Sequence, residues 1–206
     1  MQHWNGHQLC AIDIETSGLD PHYHEILQIC ILPLDSNIKP RRDVFPFFLE
    51  LAPEHPERID REAIRINKLD IMRITQRGHH QDKAKDLLEL WVDKLDLPYT
   101  KFMNRKRILP LGQNLYFDIP FIREWLGLER YGAIFDGRIR DTQSVAAYVN
   151  DRAAMLAEKV PFSKIKLSWL CNKLNVPLER AHDALQDCVA TAEVYRRMLM
   201  RSGPLE

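Results

Sequence analysis

No apolar run in this chain of 206 residues reaches the roughly 20 residues that a membrane-spanning helix needs, so no membrane contact is expected. The opening residues Met1-Gln2-His3-Trp4-Asn5 lack the basic and apolar regions of a secretory signal. No cysteine pair has C-x-x-C spacing. The four cysteines, Cys10, Cys30, Cys171 and Cys188, are scattered, which fits reduced thiols in a cytoplasmic setting and not a disulfide framework or a zinc site. Nor is there an excess of either charge, since 29 Lys and Arg balance 29 Asp and Glu. That argues against tight, sequence-blind coating of long nucleic acid, which relies on many phosphate contacts. It leaves room for an enzyme that grips a few nucleotides at one end. No repeat, low-complexity tract or Gly/Ser linker interrupts the chain, so residues 1–206 are expected to form one compact domain.

Strand signals come first. Gln8 to Glu15 alternates Ile12 and Ile14 with Ala11, Asp13 and Glu15, and Thr16-Ser17-Gly18 then turns the chain. Glu25 to Leu34 is densely apolar and reads as a central strand, antiparallel to the first. Val44 to Leu51 adds a third, placed near an edge by Pro46. Asp60 caps a short helix through Ile64 to about Asn67. Asp82 to Leu95 has apolar residues at helical spacing. Arg107 to Leu111 is a strand that leads to a helix starting near Asp118, with Pro120 in its first turn. Arg138 to Arg140 is a short strand, Asp141-Thr142 open a further helix, and Leu167 to Leu174 and Ala184 to Met200 are helical. Strands first and then alternation with helices predict a mixed-sheet α/β fold flanked by helices.

Three separated segments carry acids where they can be aimed inward. Asp13 and Glu15 are two apart on a strand, so both side chains share one face at its end. The same D-x-E spacing in Asp60-Arg61-Glu62 lies on a charged turn, so context and not spacing singles out the first pair. Asp118 follows an apolar strand that ends in Gly112-Gln113-Asn114. It suits a helix cap, a metal ligand, or both, and the Asn114 amide is placed to position a phosphate or sugar. In the third segment Asp183-Ala184-Leu185-Gln186 has the form of a capping box, which puts His182 in the preceding loop and Asp187 on the new helix. Were both helical, their five-residue separation would turn them about 140° apart and prevent a shared site. Carboxylates gathered at the ends of apolar elements need a compensating positive charge. Magnesium or manganese would supply it, and a pair of such ions suits phosphodiester cleavage.

The segments Ala11-Ile12-Asp13-Ile14-Glu15-Thr16-Ser17-Gly18-Leu19, Asn114-Leu115-Tyr116-Phe117-Asp118 and His182-Asp183-Ala184-Leu185-Gln186-Asp187 resemble the three exonuclease motifs of the DEDD superfamily. They are similar to its histidine subclass, which includes the proofreading epsilon subunit of bacterial DNA polymerase III, ribonuclease T and oligoribonuclease. The tyrosine subclass has its tyrosine four residues before the last Asp, where this chain has Asp183. The likeness runs from about Leu9 to Leu199. It implies a ribonuclease H-like fold with a five-stranded mixed sheet, and two Mg²⁺ or Mn²⁺ ions held by Asp13, Glu15, Asp118 and Asp187. It also implies His182 as general base and stepwise 3′→5′ hydrolysis to nucleoside 5′-monophosphates.

Thr16, Leu19, Asn67 and Asn114 are the candidate substrate contacts, and Lys101 to Arg107 is a candidate guide for a single strand by phosphate contact and stacking. Oligoribonuclease-like proteins usually carry methionine where Thr16 stands, which favours DNA or a broad range of substrates. The alternatives are an RNA-trimming exoribonuclease of the ribonuclease T or oligoribonuclease type, and a proofreading subunit bound in trans to a polymerase. Single-stranded 3′ ends are the expected partner, with a homodimer as a further option.

Overall fold

The computed structural model describes residues 6–99, 105–178 and 183–200. Its centre is a five-stranded sheet in the order β3-β2-β1-β4-β5. The strands are β1 (Gln8–Thr16), β2 (Ile26–Pro33), β3 (Phe47–Glu50), β4 (Ile108–Gly112) and β5 (Arg140–Asp141). β2 lies antiparallel to both β1 and β3, while β4 runs parallel to β1 and to β5. The sheet is therefore mixed, β3 is at an edge as Pro46 predicts, and β1 is bonded on both sides. The β1–β2 register slips between Glu15 and Thr16, pairing Glu15 with Gln28 but Thr16 with Ile26. A bulge of this kind bends the strand end beside the site.

Eight helices surround the sheet among the described residues: α1 (Arg61–Asn67), α2 (Ile71–Arg77), α3 (Gln81–Asp93), α4 (Leu115–Leu126), α5 (Leu128–Ile134), α6 (Thr142–Met155), α7 (Leu167–Lys173) and α8 (Ala184–Leu199). None is long and apolar enough to cross a membrane. Alternation along β1 sorts its side chains into two layers. Cys10, Ile12 and Ile14 pack with Ala84, Leu88 and Trp91 of α3 and with Leu115, Ile119 and Ile122 of α4. Leu9 and Ala11 face the other way, onto Ala184, Cys188, Ala192 and Tyr195 of α8. A third cluster joins α6, α7 and the outer side of α8 through Ala146, Leu170, Cys171, Val194 and Met198.

α4 starts three residues earlier than expected, at Leu115, so Pro120 lies inside the helix and Asp118 is not its cap. The reason is a long-range cap. Asn114 takes up the left-handed conformation at φ 68°, and the Leu115 N–H donates to Asp141 Oδ2 at 2.7 Å. Proline at position 120 withdraws the hydrogen bond to the Tyr116 carbonyl, on a face where both residues are exposed. The short helices α2 and α5 have no counterpart in the sequence reading. Asp60 does cap α1, accepting the Glu62 N–H at 2.8 Å, and Asp183 caps α8 by accepting the Gln186 N–H at 3.2 Å.

Candidate active site

β1 carries two acids to the sheet end where β2 begins. Asp13 and Glu15 follow the parity of Leu9 and Ala11, so they face α8. There Ala184 and Cys188 are packed against the sheet, which sets Asp187, on the fourth residue of α8, over the same spot. One ligand oxygen from each of Asp13, Glu15 and Asp187 lies within 4.8 Å of the others. Oxygens that share one magnesium ion lie up to about 4.2 Å apart, a difference that side-chain rotation covers.

Asp118 enters from the α4 side. Pairing between β1 and β4 ends at Ala11 and Leu111, and α4 begins in the gap. The Ile14 N–H donates to Asp118 Oδ1 at 3.2 Å. Asp118 stands outside the trio of close oxygens but belongs to the same electrostatic unit, because it is the foremost charge acting on Asp13.

The principal charges acting on Asp13 and Glu15 are all acidic groups. Burial first, then Asp118, Glu15 and Asp187, holds the Asp13 carboxyl well above the usual range. Burial, followed by Asp187, Asp118 and Asp183, pushes Glu15 up to about 8. Burial also pushes Asp118 up to about 8, opposed by the Ile14 N–H and reinforced by Asp141. Without a cation, the cluster holds protons near neutral pH. An all-oxygen set that resists ionisation until a positive charge arrives fits a hard divalent cation.

The expected substrate residues divide into two kinds. Leu19 is 77% exposed, and Asn114 is exposed with no side-chain cap bond. Thr16 and Asn67 are buried instead. The Thr16 hydroxyl donates to the Gly18 carbonyl at 2.6 Å. Asn67 Nδ2 donates to the Thr16 carbonyl at 3.1 Å, and its Oδ1 accepts the Leu69 N–H at 3.2 Å. The Asp60 N–H donates to the Ser17 carbonyl at 2.8 Å. Both ends of α1 thus brace the loop after Glu15. A Cβ at Gly18 would lie 2.1 Å from the His24 ring, which would have to move.

His182 lies outside the described residues, as do residues 101–104 of the basic segment. Arg105 pairs with Asp93 at 2.6 Å and Arg107 with Asp136 at 3.1 Å, so these two side chains tie elements together. Three further residues shape the site through long-range bonds that carry no sequence signal. Asp141 caps α6 through the Gln143 N–H while it caps α4. Gln113 donates to the Ile165 carbonyl at 2.8 Å and accepts the Thr142 hydroxyl. Gln28 meets the first residue of α8.

Carboxylates converging at the carboxyl end of a central strand, with helix ends supplying the rest, make an oxygen donor set suited to a hard divalent cation. The exonuclease family model of the RNase_T type matches residues 10–195. The chain belongs to this exonuclease family, within the DEDD superfamily, whose members use divalent metals. No curated protein sequence matches the chain.

Among solved structures, a zinc-bound complex of E. coli exonuclease I with single-stranded DNA aligns with TM-score 0.70 at 17% identity, covering 95% of this chain and 41% of that one. Exonuclease I from Methylocaldum szegediense gives 0.68 at 22%, covering 97% and 42%. Cell-death related nuclease 4 gives 0.67 at 16%, covering 97% and 66%. The fold is ribonuclease H-like, and the chain spans about two fifths of the exonuclease I chains it matches, 41% and 42%.

Proposed function

We propose that the chain is a metal-dependent 3′→5′ exonuclease. It removes nucleotides stepwise from the 3′ end of single-stranded nucleic acid, DNA in preference to RNA, and releases nucleoside 5′-monophosphates. The observation that carries this reading is the convergence of Asp13, Glu15 and Asp187 within 4.8 Å, with Asp118 acting on Asp13 from the other side. Four ionised carboxylates bring four negative charges, which two Mg²⁺ or Mn²⁺ ions would balance. When bound, such a pair clamps a scissile phosphate, acidifies a water and stabilises the leaving 3′-oxygen.

The chain's own residues supply the rest. Asp13 feels Asp118, Glu15 and Asp187 together, and with them it would hold the cations. His182 directly precedes the Asp183 cap in the sequence. We assign it removal of the attacking water's proton, a task for which imidazole is the usual side chain near neutral pH, and with that role we propose membership of the histidine subclass. Leu19 offers apolar surface to the terminal base and Asn114 an amide to its sugar or phosphate. Thr16 and Asn67 act by holding the loop that presents Leu19. Support for a single-stranded DNA substrate comes from the E. coli exonuclease I complex, which shares the fold.

The test is a gel assay with 3′- and 5′-labelled strands, single and double, DNA and RNA, with and without Mg²⁺. The expected result is a progressive ladder from 5′-labelled single-stranded DNA and immediate mononucleotide from the 3′ label, both only with Mg²⁺. Asp13→Ala should abolish it, and a fully active variant would refute the assignment.

A further inference from the structure

The strand next to β1 contributes no acid to the cluster, yet it carries a polar side chain where an apolar one would pack. Gln28 lies on β2 directly across from Glu15 in the antiparallel register, so the two side chains share the face turned to α8. It is only 4% exposed. Its Oε1 accepts the N–H of Ala184 at 2.9 Å, across 156 residues of sequence. Ala184 is the first residue of α8 and is fully buried. Its N–H has no carbonyl partner within the helix, since the first turn of any helix leaves such donors unmet.

The start of α8 is thus held twice. Asp183 satisfies the Gln186 N–H from within the segment, which fixes where the helix begins. Gln28 satisfies the Ala184 N–H from the sheet, which fixes where that beginning sits relative to β1 and β2. Asp187 is three residues beyond Ala184, one turn along the same helix face, and its N–H closes that turn onto the Asp183 carbonyl at 2.9 Å. A bond that sets the height and rotation of Ala184 over Gln28 therefore sets Asp187 over Glu15. The next tie between β2 and α8 is softer: the Cys188 thiol reaches the Cys30 carbonyl at 3.7 Å.

Resting on the reading of the acidic cluster as the cation site, we infer that Gln28 is a positioning residue for catalysis: through its bond to the Ala184 N–H, it holds Asp187 in ligand register with Asp13 and Glu15. An amide suits the place, because it accepts the helix N–H without adding a charge to a site whose neighbours are already acidic.

Gln28→Met keeps the length and apolar bulk but removes the acceptor. Displaced partners of metal ligands typically lower metal affinity or activity about 10–100-fold. The variant should therefore bind Mn²⁺ about 10–100-fold more weakly by calorimetry. It should lose a similar factor in kcat, with substrate KM nearly unchanged. Gln81→Met is the control. Gln81 is a buried amide as well, donating to the Ile26 and Ala52 carbonyls at 3.2 Å, so its loss should lower the melting temperature and leave Mn²⁺ affinity alone. If Gln28→Met does not fold, Gln28→Asn, one methylene short of Ala184, takes its place with the same expected losses.

Wild-type Mn²⁺ affinity and kcat in whichever Gln28 variant folds would overturn the inference, as would an equal loss of affinity in Gln81→Met. Asp13→Asn separates the two readings. If it abolishes Mn²⁺ binding while the Gln28 variant binds normally, only the role of Gln28 fails. If Asp13→Asn binds Mn²⁺ as wild type does, the cation site itself is misassigned.

Discussion

The acidic cluster should make the metal-free protein less stable as the solution becomes more alkaline, the reverse of what paired surface carboxylates do. Asp118 moves from an ordinary value of 3.8 to about 8, and Glu15 from 4.5 to about 8, burial being the first cause for both. Between the unfolded and folded values, the native state holds protons that the unfolded chain has released, so stability falls with rising pH. The useful window is from pH 6.5 to 8. Burial pushes His7 below its ordinary 6.5, so the proton its unfolded form still holds near pH 6.5 gives a small opposing rise that fades by about pH 7.5.

Across that window each group contributes a loss of at most about 2 kcal/mol, at 1.36 kcal/mol per pH unit. In a protein of this size that corresponds to roughly 4–8 °C in melting temperature per group. A divalent cation at a hundred times its Kd returns about 2.7 kcal/mol, and more of the gain appears at pH 8, where fewer protons must be displaced. The assay is a set of thermal melts at the two pH values, with chelator and with Mn²⁺, on wild type and Asp118→Asn. The variant cannot ionise, so without metal it should melt above wild type at pH 8 and show a shallower slope. A chelated wild type whose melting temperature is flat or rises from pH 6.5 to 8, with Asp118→Asn unchanged from it, would refute the account.

Two further outcomes follow from the surrounding loops. Gly18→Ala places a Cβ 2.1 Å from the His24 ring and should lower stability by about 1–3 kcal/mol in a urea titration, with turnover falling alongside. Adding His24→Ala should recover a good part of both, and a double variant no better than the single would contradict the packing explanation. Asp141→Ala removes the acceptor for the Leu115 and Gln143 N–H groups together. At about 1 kcal/mol per cap it should lose about 2 kcal/mol in the same titration, whereas a one-cap loss would mean that α4 is held elsewhere.

Local chemistry was legible from the sequence, and long-range chemistry was not. β1 and β2 declare themselves through alternation and a continuous apolar run, and Asp60 and Asp183 through capping patterns that span a few residues. The parity of Asp13 and Glu15 follows from strand geometry alone. The start of α4 does not, because its first N–H is satisfied by Asp141, 26 residues on. The only acceptable guess from local sequence was to let Pro120 mark the first turn. α2 and α5 escape notice because each is seven residues long, with one buried residue in α2 and two in α5, too few to set up a period. Asn67 braces the loop after Glu15, a role that local sequence does not show because its partner is the Thr16 carbonyl 51 residues away. Gln28 reads as one polar residue in an apolar strand until its partner across 156 residues is known.

The placement of β1 between β2 and β4 has a consequence for how the protein breathes. Segments bonded along both edges and buried on both faces open last, while helix ends fray first. Half of the cluster, Asp13 and Glu15, rides just beyond that part, where β1 is bonded to β2 alone because its pairing with β4 ends at Ala11. The other half, Asp118 and Asp187, sits within the first turns of α4 and α8. Warming the protein should therefore dismantle the centre from its helical side while the strand stands intact as a template. Activity lost in that way returns by redocking two helix ends, with no need to fold the chain anew.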